Sequence, residues 1–248
     1  MKTKPEHILL LSWLILSGLV GFALYISWHE NLLLALFEVD RSRISFVIAL
    51  LYILMTIHCA GRTFKISSEH TLSLQVQEII KQEKDLSLKL DGEELYVNQT
   101  KPLPNCIMSE YIRDLFIGIK HLNKNDDATS DQSSLIEVYE SRLKGPQEIG
   151  WFASDVLLKL GLLGTIIGFI FMLGSVANIA DFDVSTMQEV LRHMSNGMGT
   201  ALYTTLAGLI CSILGAVQYH MIDRHADDIL DMTRHLAHVH VLPKINQI

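Results

Sequence analysis

The chain has 248 residues, 49% of them hydrophobic, and a formal net charge of −7, with a mean hydropathy of +0.29. These values fit a polytopic membrane protein, and an acidic balance without clustered cations argues against a nucleic-acid partner. Cys59, Cys106 and Cys211 lie in or near apolar stretches or the long polar loop. No pair of them has metal-ligand spacing, so neither a disulfide framework nor a cysteine metal site is expected.

Four stretches contain no Asp, Glu, Lys or Arg: Ile8 to Trp28, Ile44 to Gly61, Leu160 to Ala180 and Met194 to Ile222. A span needs roughly 20 apolar residues, so each qualifies and the second is the shortest. Lys2 and Lys4 precede an apolar run longer than a signal-peptide core, with no small-residue cleavage site after it, which predicts a retained first helix. The segment from Arg62 to Lys144 holds eleven of the twenty basic residues, and the stretch between the third and fourth spans holds only Arg192. By the positive-inside rule the long loop and both termini are cytoplasmic. The expected fold is an all-α integral membrane protein with four transmembrane helices and a helical cytoplasmic segment between the second and third. It divides into an N-terminal hairpin (1–61), a cytoplasmic helical domain (62–150), a second hairpin with its extracytoplasmic loop (151–222) and a cytoplasmic tail (223–248).

In the first hairpin loop, Leu32 to Phe37 is apolar enough to lie on the outer membrane surface. In the cytoplasmic segment, Leu72, Val76, Ile79 and Ile80 recur at helical spacing and predict a helix from Glu69 to Leu90. Asp91-Gly92 and Pro102-Leu103-Pro104 break the chain. A second helix is predicted from Met108 to Leu122, a flexible polar loop from Asn123 to Ser134, and a third helix from Ser134 to Lys144 that stops at Gly145-Pro146. Asp183 or Ser185 caps a helix that runs into the fourth span. The tail continues that helix for a few turns and frays after Pro243.

The residues that carry chemistry sit in the last two spans. Gly161, Gly164, Thr165 and Gly168 cluster on one side of the third. Thr200, Thr204, Gly208 and Ser212 recur every fourth residue on the fourth, with Thr205 beside them. The plainer reading is packing: small residues seat neighbouring helices and threonine bonds its own helix backbone. The sharper one makes the hydroxyls an ion pathway. The four charge-free spans contain no carboxylate, and His58, near the inner end of the second, suits an interfacial position. A proton path would therefore need a carboxylate from another polypeptide. Asp155 and Lys159, one turn apart in the favourable order, read as an ion pair at the inner edge of the third span. His235, His238 and His240 have no cysteine or clear acidic partner and read as a solvated helix face rather than a metal site. No phosphate loop, nucleophile elbow or zinc-protease helix is present, so no catalytic residue, enzyme activity or cofactor is expected.

Leu160-Gly-Leu-Leu-Gly-Thr165-Ile-Ile-Gly168 and Gly199-Thr-Ala-Leu-Tyr-Thr-Thr205-Leu-Ala-Gly208 resemble the two pore-lining helices of the MotA/TolQ/ExbB proton-channel family. The four-span layout is similar to MotA, and the second motif also resembles the ZorA branch. The resemblance implies a bacterial inner-membrane stator subunit, five copies of which surround a dimer of a single-span MotB/TolR/ExbD-like partner. That partner supplies the proton-carrying aspartate, and Thr165 and Thr205, with Thr204 and Thr200 nearby, face it. Gly161, Gly164, Gly168, Gly208 and Ser212 would pack the pore helices. A third span that starts at Leu160 puts Thr165 about two turns nearer the cytoplasm than Thr205; an earlier start, with Asp155 and Lys159 snorkelling, removes the offset. A non-conducting four-span scaffold or receptor is the competing reading, and proton and sodium both stay open.

Overall fold

The computed structural model describes residues 8–40, 42–82, 88–91, 94–97, 101–121, 128–176 and 184–245. In chain order they form α1 (Ile8–His29), α2 (Leu32–Val39), α3 (Ile44–Gln82), β1 (Leu88–Asp91), β2 (Glu94–Val97), β3 (Lys101–Pro102), α4 (Ile107–His121), α5 (Ala128–Val176) and α6 (Val184–Leu236). A five-residue π-helical turn, Ala237–Val241, and α7 (Leu242–Ile245) follow. The predicted helical fold holds. Among the described residues four helices are long and apolar enough to cross a membrane: α1, α3, α5 and α6.

Several boundaries depart from expectation. The helix predicted from Glu69 to Leu90 is the second half of α3, which runs on from the second apolar stretch without a break and ends at Gln82. Leu88 to Leu90 are in a strand instead. The reason is a hairpin signal: Leu88, Leu90, Leu95 and Val97 alternate about Asp91-Gly92. β1 pairs antiparallel with β2, with Leu88 opposite Val97 and Asp91 opposite Glu94, and β3 adds to the other edge of β2. α4 falls within a residue of its predicted bounds. The loop predicted from Asn123 to Ser134 is helical from Ala128, while 122–127 lie outside the described residues.

The predicted stop at Gly145-Pro146 is absent, because α5 continues through Pro146. Proline has no N–H to offer the Arg142 carbonyl, and its ring crowds that turn. The next carbonyl, Leu143, takes a hydrogen bond from Arg62 Nη2 at 2.7 Å, which partly compensates the disturbed turn. Asp183 lies outside the described residues, and Ser185 sits within α6 rather than capping it. α2 begins after Asn31, whose left-handed backbone (φ 57°) an asparagine tolerates.

The chain divides into two compact units, one built from Met1–Leu11, Arg62–Gln147 and Met221–Ile248, the other from Ser12–Gly61 and Glu148–His220. In the first, Ile66, Val76 and Ile80 of α3 are buried with Met108, Tyr111 and Ile112 of α4, Leu143 of α5 and Ile229 and Leu236 of α6. Ion pairs join the elements at its surface: Arg142 to Glu110, Lys144 to both Glu140 and Asp227, and Arg234 to Glu140. Burial alone would lower the Lys144 pKa, but its two carboxylates raise it above the ordinary lysine value. Tyr139 donates to Asp114 at 2.6 Å, and burial together with that bond keeps the phenol protonated well above the ordinary tyrosine range.

The second unit holds the apolar parts of α1, α3, α5 and α6, together with α2. Its outward side chains are large and apolar, including Leu14, Phe22, Ile53, Leu54, Ile166, Ile170 and Leu202. Such a surface suits lipid or other helices rather than water.

Candidate functional site

Within the second unit, α5 and α6 run antiparallel along a seam in which glycine on one helix meets backbone or threonine on the other. Gly161 faces Gly208, Gly164 faces Thr204, Gly168 faces Ala201 and Gly197 faces Met172. A Cβ placed on Gly208 would stand 2.7 Å from Gly161 Cα and 2.8 Å from the Leu157 carbonyl oxygen. One placed on Gly164 would overlap the Thr204 side chain. No side chain larger than hydrogen fits there while the backbones stay so close, and that closeness replaces the hydrophobic drive that helices lack in lipid. Nearer the N-terminus of α5, Ser154 Oγ donates to the Ser212 carbonyl at 2.7 Å and stands 3.4 Å from the Ser212 hydroxyl.

The pairing fixes the relative depth of the threonines. Since Gly164 meets Thr204, Thr165 lies level with about residue 203, roughly 3 Å along the axis from Thr205. The two-turn offset that follows from a span beginning at Leu160 is therefore corrected. α5 is helical from Ala128, so the edge of its charge-free run does not mark where the helix begins.

The four threonines have different surroundings. Thr204 is 0% exposed, and its hydroxyl reaches the Thr200 and Ala201 carbonyls at 2.9 and 3.1 Å. Thr200 is also buried; its hydroxyl reaches the Val39 carbonyl at 2.8 Å and the Asn196 carbonyl at 3.1 Å. That bond ties the end of α2 to α6 beside Gly199, which packs on the Val39 side chain. Thr165 and Thr205 are half-buried at the borders of the seam. Thr165 donates to the Leu162 carbonyl at 2.5 Å. Thr205 has two carbonyls at 3.0 Å, Ala201 of its own helix and Gly161 of the neighbouring one. A hydroxyl has a single proton, so Thr205 can give it to either carbonyl, and both threonine oxygens keep lone pairs for an incoming donor or cation.

A second constellation was only half legible in the sequence. His58, placed by the sequence at the inner end of the second span, accepts or donates a 2.7 Å hydrogen bond between its Nδ1 and the Tyr219 hydroxyl. The Tyr219 ring is fully buried and covers Gly150, where a Cβ would fall within the ring. The hydroxyl also lies 3.4 Å from the Met55 carbonyl. These contacts join α3, α5 and α6 near the C-terminal end of the second apolar run. A lone glycine at the start of the third apolar region was the available signal, but nothing local identified its aromatic partner.

Asp155 and Lys159 form the expected i, i+4 ion pair on the side of α5 away from the seam. Their depth differs from expectation. Neighbouring Ser154 meets Ser212 and lies beside Gly215, which packs on Met55 of α3. Met55 is well inside the charge-free run from Ile44 to Gly61. The pair is therefore level with charge-free residues of α3 and α6, and Asp155 is paired with Lys159. Among the described residues no group of three or more His, Cys, Asp or Glu is placed to hold a metal ion.

Residues 118–235 match the family model of the MotA/TolQ/ExbB proton channel family. The match takes in the end of α4, all of α5 and nearly all of α6, and it supports the resemblance read from the two glycine- and threonine-rich helices. No curated protein and no solved structure matches the chain.

Proposed function

From the match over residues 118–235, we propose that this chain is the wall subunit of an ion-motive-force-driven membrane motor or energiser. It conducts protons together with a single-span partner that carries an aspartate. Five copies surround two copies of the partner in a bacterial inner membrane, with both chain termini on the cytoplasmic side. The observation that carries the reading is the placement of Thr165 and Thr205: half-buried, level with one another, and at the borders of a glycine-packed seam inside the matched residues. Thr204 and Thr200 lie behind them as packing hydroxyls.

A proton from outside neutralises the partner aspartate, which then passes the apolar wall. At the level of Thr165 and Thr205 it meets oxygen lone pairs that lower the cost of re-forming its charge, and the proton leaves inward. One charge crossing 100 mV releases about 2.3 kcal/mol, enough to bias each step roughly fiftyfold. The wall itself offers no free carboxylate at the threonine level among the described residues: Asp155 lies more than two turns inward along α5 and is paired with Lys159.

The test is proton uptake into proteoliposomes holding the chain and its co-expressed partner, driven by a potassium diffusion potential. Thr165→Val combined with Thr205→Val should abolish uptake while the complex still assembles, as judged by size in detergent. Uptake unchanged in that double variant refutes the site.

A further inference from the structure

Asp155 and Lys159 do not sit where a lipid-facing ion pair belongs. Their depth follows from contacts on three helices. α3 and α6 run parallel, and the residues that meet differ in number by a near-constant interval: Met55 with Gly215, and His58 with Tyr219. Val39, just before α3, meets Thr200 at the same interval. α5 runs antiparallel to both, with Gly161 against Gly208 and Ser154 against Ser212. Asp155 is therefore level with about residue 213 of α6 and about residues 52–53 of α3, and Lys159 with about residues 48–49 of α3. The charge-free run of α3 extends from Ile44 to Gly61. Asp155 stands roughly 12 Å from its C-terminal end, and the charge-free run of α6, Met194 to Ile222, ends about 13 Å beyond residue 213, which agrees. Lysine side chains on a helix lean toward its N-terminus, which here means toward Asp155.

Both groups are open in the single chain. Asp155 is 53% and Lys159 68% exposed at the side chain, and they share their face of α5 with exposed Leu162, Ile166 and Leu173. An ion pair at this depth is costly in hydrocarbon, and charged groups inside spans almost always border a bundle interior or a water-filled cavity. The packing of α5 against α6 covers the other side of the helix, so nothing in the chain itself shields the pair.

We propose that Asp155 and Lys159 line an aqueous inner vestibule that brings cytoplasmic water roughly 12 Å into the apolar band, to within two turns of Thr165. The species it takes is a hydrated proton or small monovalent cation that leaves the threonines. The neutralised pair keeps the cavity wet without trapping a cation, as a lone carboxylate would. This inference extends the proposed ion path and assigns its inward half to these two side chains.

The experiment measures water access, which does not require conduction. Asp155→Cys and Lys159→Cys are each expressed with the partner, and inverted membrane vesicles are treated with a sulfonated, membrane-impermeant maleimide. Labelling is followed peptide by peptide by mass spectrometry, so native cysteines remain, and buried Cys59 serves as an internal negative control. Leu54→Cys, at the same depth on the exposed side of α3, gives the rate for a dry position, and Ser141→Cys in the polar unit gives the rate in open water. Reaction at position 155 or 159 at least tenfold faster than at position 54 supports the vestibule. Rates equal to that of Leu54→Cys at both positions overturn it. A wild-type complex that takes up no protons would sink the proposed function and leave this labelling result standing.

Discussion

The closest approach of α5 and α6 permits a comparison between two glycines that face each other. At Gly208 an added Cβ would lie 2.7 Å from Gly161 Cα, 2.8 Å from the Leu157 carbonyl oxygen and 3.0 Å from Gly161 N, all backbone atoms that no rotamer change can move. At Gly161 the added Cβ would stand 3.1 Å from Gly208 Cα and 3.3 Å from the Thr204 carbonyl, needing only a few tenths of an ångström. Restoring ordinary contact at position 208 requires the helices to part by about 0.7 Å, the difference between 2.7 and the 3.4 Å at which ordinary contact begins. The Thr205 hydroxyl bond to the Gly161 carbonyl, 3.0 Å long, would stretch to about 3.7 Å and cease to be a hydrogen bond. Gly208→Ala should therefore cost about 1–3 kcal/mol of overpacking, of which the helix preference of alanine returns at most about 1. Gly161→Ala should come out within about 0.5 kcal/mol of wild type, because its small clash and its gain in helix preference offset each other. Chemical unfolding in detergent, followed by circular dichroism, gives both values. Equal stability of the two variants, or greater damage from Gly161→Ala, would refute the claim that backbone proximity rather than residue size sets the cost.

Three further outcomes follow from named contacts. Tyr219→Phe removes the bond to His58 and should cost about 1 kcal/mol; Gly150→Ala, which drives a methyl into the Tyr219 ring, should cost about 1–3 kcal/mol, and Tyr219→Leu but not Tyr219→Phe should relieve it in a double-variant unfolding cycle. Arg62→Met removes the donor to the Leu143 carbonyl beside Pro146 and should lower stability by about 1–3 kcal/mol, read by the same unfolding curves, with Arg62→Lys restoring only part because one ammonium cannot reproduce the guanidinium fork. Burial would raise the Asp40 pKa, yet bonds from Ser42 and Ser45 outweigh it and hold the carboxyl below its ordinary 3.8. A depressed carboxylate contributes stability above its unfolded pKa and loses it as the pH falls through the folded one. The gap between wild type and Asp40→Ala, about 1 kcal/mol for a lost cap, should therefore stay constant from pH 5 to 8 and close below about pH 4 in thermal melts.

Composition and spacing were enough for the parts that one segment decides by itself. The four spans follow from apolar length, α4 from its periodic apolar face, and the glycine–threonine pattern of α5 and α6 from small residues three and four apart. Where the readings failed, a local signal competed with contacts made elsewhere. Asp91-Gly92 signals a break, whereas the alternating leucines on either side pair as the strands of a hairpin. Gly145-Pro146 by itself signals a helix end, but Arg62, eighty-one residues before Leu143, supplies a donor where the helix is disturbed. Tyr219 could not be linked to Gly150 or His58, because each contact joins different helices. The sequence by itself determined that four helices have a surface water would not tolerate, since that is a sum over side chains. Tertiary structure alone decided how deep each residue stands, because depth is set by which residues meet across helices. A charge-free window starts the third run at Leu160, while the contacts of Ser154 with Ser212 and of Gly215 with Met55 set charge-free stretches of α3 and α6 level with Asp155 and Lys159.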